Sequence, residues 1–310
     1  MSDRPAIDVR GLTKIFSGRT VVNNFDLQLA EGQICGFLGP NGSGKTTTLR
    51  MICGLLLPDG GEGEVLGLDL ARDRHRIKAQ IGYMTQRFGL FGDLTIRENL
   101  EFIARVYGLD NRNERLDAAL VRLGLETRSE QLAGKLSGGW KQRLALAACV
   151  LHEPRILLLD EPTAGVDPQA RREFWDQIHR LSQEGMTVLV STHYMDEAER
   201  CHEIAYIAYG QLLARGASDE LIAGSGLFAL SGEGKGADRL AGEIQRRPGV
   251  AMAAPFGAAL HVCGTDRDAL RAAVAPWEGE FRWRETEPTL EDVFIHLMRG
   301  AEDGSVIQRG

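Results

Sequence analysis

The sequence predicts an α/β fold in which a parallel sheet forms the core, followed by a smaller α+β domain. Short apolar runs at residues 34–38, 156–159 and 187–192 are hydrophobic on both faces, as expected for buried strands of a parallel sheet. A glycine-rich loop follows the first run directly, and helical patterns separate the runs. At 310 residues, the chain is long enough for one large domain and one small domain.

The glycine-rich loop at residues 39–47 fits the P-loop pattern G-x-x-x-x-G-K-[ST] and precedes an apolar helical pattern that ends at Gly54. In such a loop, backbone N–H groups surround phosphates, while Lys45 reaches the β/γ oxygens and the Thr46 hydroxyl binds Mg²⁺. Thr47 either contacts the α-phosphate or simply begins the helix. The predicted phosphate-binding residues are Gly39, Pro40, Asn41, Gly42, Ser43, Gly44, Lys45, Thr46 and Thr47.

The composition argues against several classes of protein. A formal net charge of -7 and a pI near 5.6 disfavour a protein whose main partner is nucleic acid. The five cysteines contain no C-x-x-C pair, so neither a zinc site nor a disulfide framework is indicated. The N-terminus lacks the apolar core of a signal peptide, and no run approaches the ~20 apolar residues that span a bilayer. A cytoplasmic chain is predicted, for which any membrane role requires another subunit.

Before the P-loop, residues 7–30 contain runs that alternate between apolar and polar side chains, notably at Phe25, Leu27 and Leu29, and predict an antiparallel β-layer. Phe16 lies at a loop-like position in this layer. A phenylalanine there either fills the core or stacks on adenine, since every base offers a π face. After the P-loop helix, we expect a loop at residues 58–61 and short strands at residues 64–66 and 81–84.

Gln86 follows the strand at residues 81–84 directly. Its amide is either a solvated group at a strand end or a ligand of Mg²⁺ or of the attacking water. Residues 88–135 carry helical patterns and predict a helical subdomain, with a capping box at residues 95–98. Apolar residues at positions 88–91 either pack into the core or line a docking groove.

A second glycine-rich helix start, after the one at the P-loop, occurs at Ser137, Gly138 and Gly139. Ser137 is a plausible N-cap, and this role alone would explain it. Two glycines at a helix start also expose N–H groups, which predicts a second anion-binding site.

Residues 156–161 predict a strand that ends in two adjacent carboxylates, Asp160 and Glu161. Because neighbouring residues on a strand point in opposite directions, we expect one of these carboxylates to face the Mg²⁺ ion and the other to face water. Asp167 precedes Pro168 and is explained as an N-cap. His193 ends the strand at residues 187–192, where it is either structural or part of the same rim as the two carboxylates.

This ordered set of motifs, over residues 5–217, resembles the nucleotide-binding subunit of an ABC transporter. In that resemblance, Phe16 corresponds to the aromatic residue that stacks on adenine, residues 39–46 to the Walker A motif and Gln86 to the Q-loop. Residues 136–140 correspond to the signature motif and residues 156–161 to Walker B. Asp167 corresponds to the D-loop and His193 to the switch histidine. The resemblance implies an α/β P-loop NTPase fold of the ABC type, with ATP and Mg²⁺ as ligands. It also implies that Thr46, Gln86 and Asp160 bind the metal.

The same resemblance implies a head-to-tail dimer that sandwiches the nucleotide. Lys45 and Thr46 of one copy would hold MgATP while Ser137 and Gly139 of the other copy contact its γ-phosphate. Hydrolysis would then proceed through Glu161, with His193, Asp167 and Lys45 at the same site. Gln86 and the loop at residues 87–91 would transmit the closure of the dimer to a membrane partner. Trp140 departs from the family pattern, in which this signature position is usually Gln.

The tail from residue 218 to residue 300 has a different pattern, which predicts a small domain with the order β-α-β-β-α-β, as in ferredoxin-like folds. Its ending at residues 287–294 resembles the C-terminus of daunorubicin-type and related ABC-2 exporter ATPases. Thr289 would cap the final helix, so packing alone also explains that segment. Residues 301–310 are expected to form a flexible tail.

These features predict the ATPase subunit of an ABC-2 type exporter of a drug, lipid or other hydrophobic compound, bound to the cytoplasmic face of the membrane through a separate permease. Two alternatives stay open from sequence alone. A soluble ABC protein acting on ribosomes or DNA is disfavoured because neither a second P-loop nor sustained heptads occur. An importer ATPase would carry the same catalytic residues.

Overall fold

Two units of the chain, Met1–Leu212 and Leu213–Gly310, each pack around their own apolar core. The structure is a computed structural model that describes residues 5–257 and 259–302. The boundary between the units lies inside the strand Gln211–Gly216, whereas the sequence places it after residue 217. Most of the tail predicted at residues 301–310 lies outside the described residues, and residues 301 and 302 belong to the last helix.

Strands up to residue 216 are β1 (Ile7–Phe16), β2 (Arg19–Leu29), β3 (Ile34–Leu38), β4 (Gly60–Val65), β5 (Leu68–Asp69), β6 (Ile81–Met84), β7 (Ile156–Asp160), β8 (Thr187–Thr192), β9 (Glu203–Ala208) and β10 (Gln211–Gly216). The α-helices of the same region are α1 (Lys45–Ile52), α2 (Arg74–Gln80), α3 (Ile96–Val106), α4 (Arg112–Arg122), α5 (Gly138–Val150), α6 (Pro168–Gln183) and α7 (Met195–Ala198). Within the described residues, no helix is both long enough and apolar enough to span a bilayer.

The central sheet has the strand order β10-β9-β3-β8-β7-β6, and its pairs from β9 to β6 are parallel. Alternate residues of β7 enter different cores: Leu157 and Leu159 pack with the helical side of the unit, while Ile156 and Leu158 pack with the antiparallel layer. Both faces of this sheet are therefore buried, as the continuous apolar runs predict. Its carboxyl edge carries the P-loop after β3, Asp160 at the end of β7, and His193 after β8.

The predicted antiparallel layer is present as a four-stranded sheet with the order β2-β1-β4-β5. Our expectation of a loop at residues 58–61 was wrong in part, because β4 already begins at Gly60, which pairs with Thr13. Gly61 permits this pairing: it has φ +84°, and a Cβ atom there would lie 2.4 Å from the carbonyl carbon of Gly11. Because the backbones of β1 and β4 approach each other closely here, β4 includes both Gly60 and Gly61.

The helical region after residue 88 contains α3 and α4, each with an apolar face turned inward. The capping box at its start is confirmed, since the Glu98 N–H donates to Thr95 Oγ1 at 3.1 Å and the Thr95 N–H donates to Glu98 Oε2 at 2.8 Å. The sequence patterns did not reveal the shorter helices α2 and α7, which have seven and four residues. Segments this short contain too few turns to show a clear helical period.

The second unit contains β11 (Phe228–Gly234), β12 (Met252–Phe256), β13 (Ala259–Gly264) and β14 (Phe281–Thr286), with α8 (Ser218–Gly224), α9 (Ala237–Ile244), α10 (Arg267–Val274) and α11 (Leu290–Glu302). From β11 to β14 the elements follow the predicted order β-α-β-β-α-β. The strands form an antiparallel sheet with the order β12-β13-β11-β14. Apolar residues of α9 and α10, including Leu240, Ile244 and Leu270, pack in one core with residues of this sheet.

Thr289 caps α11 together with Asp292, a residue that is only 1% exposed. Asp292 Oδ2 accepts hydrogen bonds from the Thr289 N–H at 2.7 Å and from Thr289 Oγ1 at 2.9 Å, and it lies 2.8 Å from His261 Nε2. Burial raises the pKa of Asp292, but the hydrogen bonds from His261 and Thr289 outweigh it and leave this pKa below its ordinary value.

The stabilisation that the ionised Asp292 carboxylate gives to the folded protein is therefore expected to be lost in acid. Because the folded pKa lies below the unfolded value of about 3.9, this stabilisation is present above that pH and is lost as the pH falls through the folded pKa. Hydrogen-exchange protection of α11, corrected for intrinsic rates, should fall below pH 4 in the wild type and vary less with pH in Asp292→Asn. Asp238→Asn changes an exposed carboxylate and should retain the wild-type profile; the same profile in Asp292→Asn would contradict the assignment.

Candidate functional site

The P-loop joins β3 to α1 at the carboxyl edge of the central sheet. Two of its glycines are required by their surroundings. A Cβ atom on Gly39 would lie 2.0 Å from the Ile207 carbonyl oxygen, and a Cβ atom on Gly44 would lie 2.9 Å from the Val21 carbonyl oxygen. Gly44 also has φ +103° directly before the first residue of α1, so the helix N–H groups open onto the loop.

Lys45 is a buried cation inside this loop, with 5% of its surface exposed. Its Nζ donates to the carbonyl oxygens of Gly39 and Pro40 at 2.7 and 3.0 Å and lies 3.7 Å from Glu161 Oε1. Burial lowers the pKa of Lys45 against the opposing effects of Glu161 and Asp160, which means that the charged form is incompletely compensated. A bound triphosphate would supply the missing negative charge.

Ser43 adds an unpaired polar group to the same loop. Its hydroxyl is buried and has no hydrogen-bond partner among the residues that the structure describes. Buried hydroxyls are nearly always bonded in folded proteins, so an orphaned one beside Lys45 favours a ligand that accepts hydrogen bonds.

Asp160 ends β7 and is 3% exposed. Its Oδ1 accepts hydrogen bonds from Thr46 Oγ1 at 2.9 Å and from Ser191 Oγ at 2.8 Å, and the Tyr83 hydroxyl lies 3.5 Å from its Oδ2. The Thr46 hydroxyl and the Asp160 carboxylate are neighbouring hard oxygen donors, which fit Mg²⁺ because this ion prefers a few oxygen ligands and retains water on the rest.

Glu161 corrects the strand argument made from sequence. It is not part of β7 but follows it in the left-handed conformation, with φ +46°. That turn, rather than strand alternation, gives Glu161 a direction different from that of Asp160. Its Oε2 accepts a hydrogen bond from Gln86 Nε2 at 3.0 Å and lies 3.5 Å from His193 Nδ1. The structure thus brings Gln86, Glu161 and His193 together beside Lys45.

Sequence reasoning missed the residues that support these carboxylates. Ser191 both donates to Asp160 and accepts from the Glu161 N–H at 2.9 Å. Glu197, which is 1% exposed, accepts from Thr163 Oγ1 and from Thr192 Oγ1, the latter at 2.7 Å. Because Thr163 follows Glu161 and Thr192 precedes His193, this buried contact fixes the two loops that carry the predicted catalytic residues. The only sequence signal was polar residues at the end of an apolar strand.

The second helix start differs from its prediction in one respect. Ser137 occupies the N-cap position of α5, but its side chain makes no capping hydrogen bond and is exposed. Gly139 packs on α6, where a Cβ atom would lie 2.5 Å from Ala170 Cβ, and Gly138 lies beside it. Asp167 caps α6 as predicted, by accepting from the Ala170 N–H at 2.9 Å. The Ser137 hydroxyl is therefore not needed to cap its own helix.

Trp140, the departure from the family signature, contacts two guanidinium groups. Arg128 and Arg143 lie 4.6 and 4.9 Å from its ring, and Arg143 also forms an ion pair with Glu173 of α6. The contact with Arg128 connects the start of α5 to a preceding 3₁₀ turn, and Arg143, itself in α5, connects it to α6 through Glu173. Glutamine has no aromatic ring and could not make the cation–π contacts.

Phe16 is 45% exposed at the end of β1, so it is not a core residue. Beyond the β-turn that follows it, residues 19–21, 40–43, 209 and 210 line an open cavity of about 620 Å³. The volume falls in the range of small-molecule sites. Asn41 and Gly42 are exposed in this cavity, whereas Thr47 is half-buried in α1.

Comparisons with known proteins agree on one family. The ABC transporter family model matches residues 22–164. The Nod factor export ATP-binding protein I of Rhizobium sp. (strain N33) is 36% identical over 94% of this chain and 96% of its own length. The daunorubicin resistance ATP-binding protein DrrA3 of Streptomyces coeruleorubidus is 35% identical over 94% of this chain and 95% of its own.

Other known proteins match about 70% of this chain. The probable multidrug ABC transporter ATP-binding protein YbhF of Escherichia coli (strain K12) is 45% identical over 71% of this chain, which spans 38% of that protein. Among solved structures, a dimeric post-hydrolysis state of the ATP-binding cassette MJ0796 bound to ADP and Pi matches with a TM-score of 0.62 and 27% identity, over 68% of this chain and 98% of that one. The cbiO1 protein of Clostridium perfringens matches with a TM-score of 0.66 and 27% identity, over 71% and 92%.

Proposed function

This chain belongs to the ABC transporter family, and from that premise we propose that it is the ATP-binding and ATP-hydrolysing subunit of an ABC-2 type exporter. The cargo class is a drug, lipid or other hydrophobic compound. The observation that carries the proposal is the meeting of Lys45, Asp160 and Glu161 at one edge of the central sheet. Relatives that match nearly the whole chain are named as export and drug-resistance ATP-binding proteins.

In the proposed reaction, a water molecule attacks the γ-phosphorus of ATP, the bond to the β,γ-bridging oxygen breaks, and ADP and phosphate form. Glu161 accepts the proton of the water, while Gln86 and His193 orient that carboxylate through the contacts described above. Lys45 and the N–H groups of the loop neutralise charge on the phosphates. Thr46, Asp160 and Gln86 would hold Mg²⁺, which neutralises charge on the β- and γ-oxygens when bound.

In the proposed dimer, the second helix start, at residues 137–139, binds an anion. Ser137 has a free hydroxyl, and Gly138 and Gly139 begin α5 without side chains, so this start offers bare donors to an anion. We assign it to the γ-phosphate of ATP held by a second copy of the chain. The nucleotide then joins two identical surfaces, and its hydrolysis separates them.

The permease is proposed to bind a groove beside Gln86. The groove has a volume of about 300 Å³ and is lined by Tyr83, Met84, Thr85, Arg87, Gly89, Leu90, Ile103, Tyr107, Ala145, Ala148 and Cys149. Because it adjoins the residue that contacts Glu161, a partner seated there would sense the state of the nucleotide site. This proposal places the chain on the cytoplasmic face of the membrane, with no nucleic acid among its partners.

Co-purification tests the proposed function. The tagged chain, recovered from detergent-solubilised membranes of its native cell, should bring down a polytopic membrane protein in stoichiometric amount, and the complex should hydrolyse ATP. Leu90→Asp in the groove should abolish this recovery, whereas Val121→Asp, at a 65% exposed position on α4, should not. Recovery of ribosomal proteins in place of a membrane protein would favour the soluble alternative and contradict the proposal.

A further inference from the structure

Phe16 has a cation on one side of its ring. The ammonium group of Lys14 lies 5.5 Å from the ring centre, within the range of a cation–π contact. Phe16 is nevertheless 45% exposed as a residue, so the ammonium does not cover it. An aromatic ring at the end of a strand does not need such a neighbour for packing.

Lys14 is fixed in place rather than solvated. Its side chain is 12% exposed, and its Nζ donates to the Leu57 carbonyl oxygen at 2.8 Å and to Asp59 Oδ1 at 2.9 Å. A flexible lysine that is held by two acceptors loses most of its freedom, so its position against the ring is defined by Asp59 and Leu57.

Asp59 also holds the backbone that carries Phe16. Its second oxygen, Oδ2, accepts a hydrogen bond from the Ile15 N–H at 2.7 Å, and its own N–H donates to the Thr13 carbonyl oxygen at 2.8 Å. Hydrogen bonds from the Ile15 amide and from Lys14 keep the pKa of Asp59 below its ordinary value, so the carboxylate is ionised at neutral pH. One side chain therefore fixes both the strand end and the cation.

We propose that Asp59 and Lys14 are positioning residues that present Phe16 to the base of the nucleotide, with the Lys14 ammonium on one face of the ring and the purine on the other. This inference rests on the proposed function, because it assumes a nucleotide in the P-loop. Residues 57–59 follow α1, whose N-terminus forms the phosphate site, so a stretch of fewer than twenty residues connects the phosphate and base subsites.

The arrangement has a chemical consequence for stacking. A cation on one face of an aromatic ring draws π density toward itself, which reduces the repulsion between the opposite face and an electron-rich base. The polarised ring should therefore hold adenine more tightly than an isolated phenylalanine would. The contribution concerns the base alone, since neither Lys14 nor Asp59 belongs to the P-loop.

A comparison of two ligands on the full-length protein tests the inference. Isothermal titration calorimetry would measure the Kd of MgATP and of magnesium tripolyphosphate, which lacks the base. Lys14→Met and Asp59→Asn should each weaken MgATP binding roughly 3- to 10-fold and leave tripolyphosphate binding within about 2-fold. In turnover, KM for ATP should rise by a similar factor while kcat stays the same. Lys14→Arg, which retains a cation, should restore most of the affinity.

Asp73→Asn is the matched control, since Asp73 likewise accepts a backbone N–H, from Asp69, and pairs with a basic side chain, Arg76. It should leave both affinities unchanged. Unchanged MgATP affinity in Lys14→Met and Asp59→Asn, or an equal loss for both ligands, would overturn the inference. The assignment of a base site at Phe16 would also fail if the wild type bound MgATP no better than magnesium tripolyphosphate and Phe16→Ala left both affinities unchanged. The two sets of results therefore distinguish failure of the roles of Lys14 and Asp59 from failure of the nucleotide site itself.

Discussion

Glu161→Gln is expected to slow ATP hydrolysis by roughly 10²–10⁴-fold, the usual contribution of a general base. Glutamine has the same shape and retains an oxygen for the hydrogen bond from Gln86, but it cannot accept the proton of the attacking water. ATP binding should persist, because the proposed phosphate contacts belong to the P-loop. The variant should therefore accumulate as an ATP-bound dimer, which size-exclusion chromatography with MgATP would detect.

Glu153→Gln is the control for this experiment. Glu153 is an exposed glutamate that also has a left-handed backbone, with φ +54°, so it matches the conformation of Glu161 without its neighbours. Its hydrolysis rate should equal that of the wild type. Normal hydrolysis by Glu161→Gln would show that another group takes the proton.

Lys45→Met is expected to lower hydrolysis by about 10²–10³-fold and to weaken MgATP binding, because it removes the buried ammonium that we propose neutralises charge on the phosphates. Burial lowers the pKa of Lys45 despite the opposing effects of Glu161 and Asp160, so a further negative charge beside the ammonium is favourable. The expected signature is loss of the MgATP-induced rise in Tm, measured for each protein against its own Tm without nucleotide.

Lys235→Met, at an exposed position of the second unit, provides the comparison for Lys45 and should retain the full nucleotide-induced rise in Tm. An equal rise in Lys45→Met would contradict the role of Lys45 in binding phosphate.

The fold and the P-loop could be predicted from sequence because their signals are local. A glycine pattern between an apolar strand and a helix specifies its own geometry, and the period-2 and helical patterns of residues 228–286 gave the order of the elements in the second unit. The family prediction is confirmed by the relatives that match nearly the whole chain. The sheet order was not predicted, since it depends on which distant strands pair.

What the sequence did not reveal depends on register and on contacts between distant elements. Ser191 supports Asp160 because the parallel pairing of β7 with β8 places these two residues opposite each other. The left-handed conformation of Glu161 follows from the turn that leaves β7, and no residue type in the sequence marks it. Arg128 reaches Trp140 from a separate 3₁₀ turn, so the pattern around the signature gave no sign of that contact.

The most direct test of the proposed shared site uses two inactive variants, Lys45→Ala and Ser137→Arg, each confirmed to be folded and able to dimerise. Alone, each should lack turnover. In a mixed dimer, one of the two sites combines a wild-type Lys45 with a wild-type Ser137 from the other copy. An equal mixture after subunit exchange should therefore recover about a quarter of the wild-type rate, because half of the dimers carry one intact site of two. No recovery, with mixed dimers shown to be present, would contradict a nucleotide site formed by two copies of the chain.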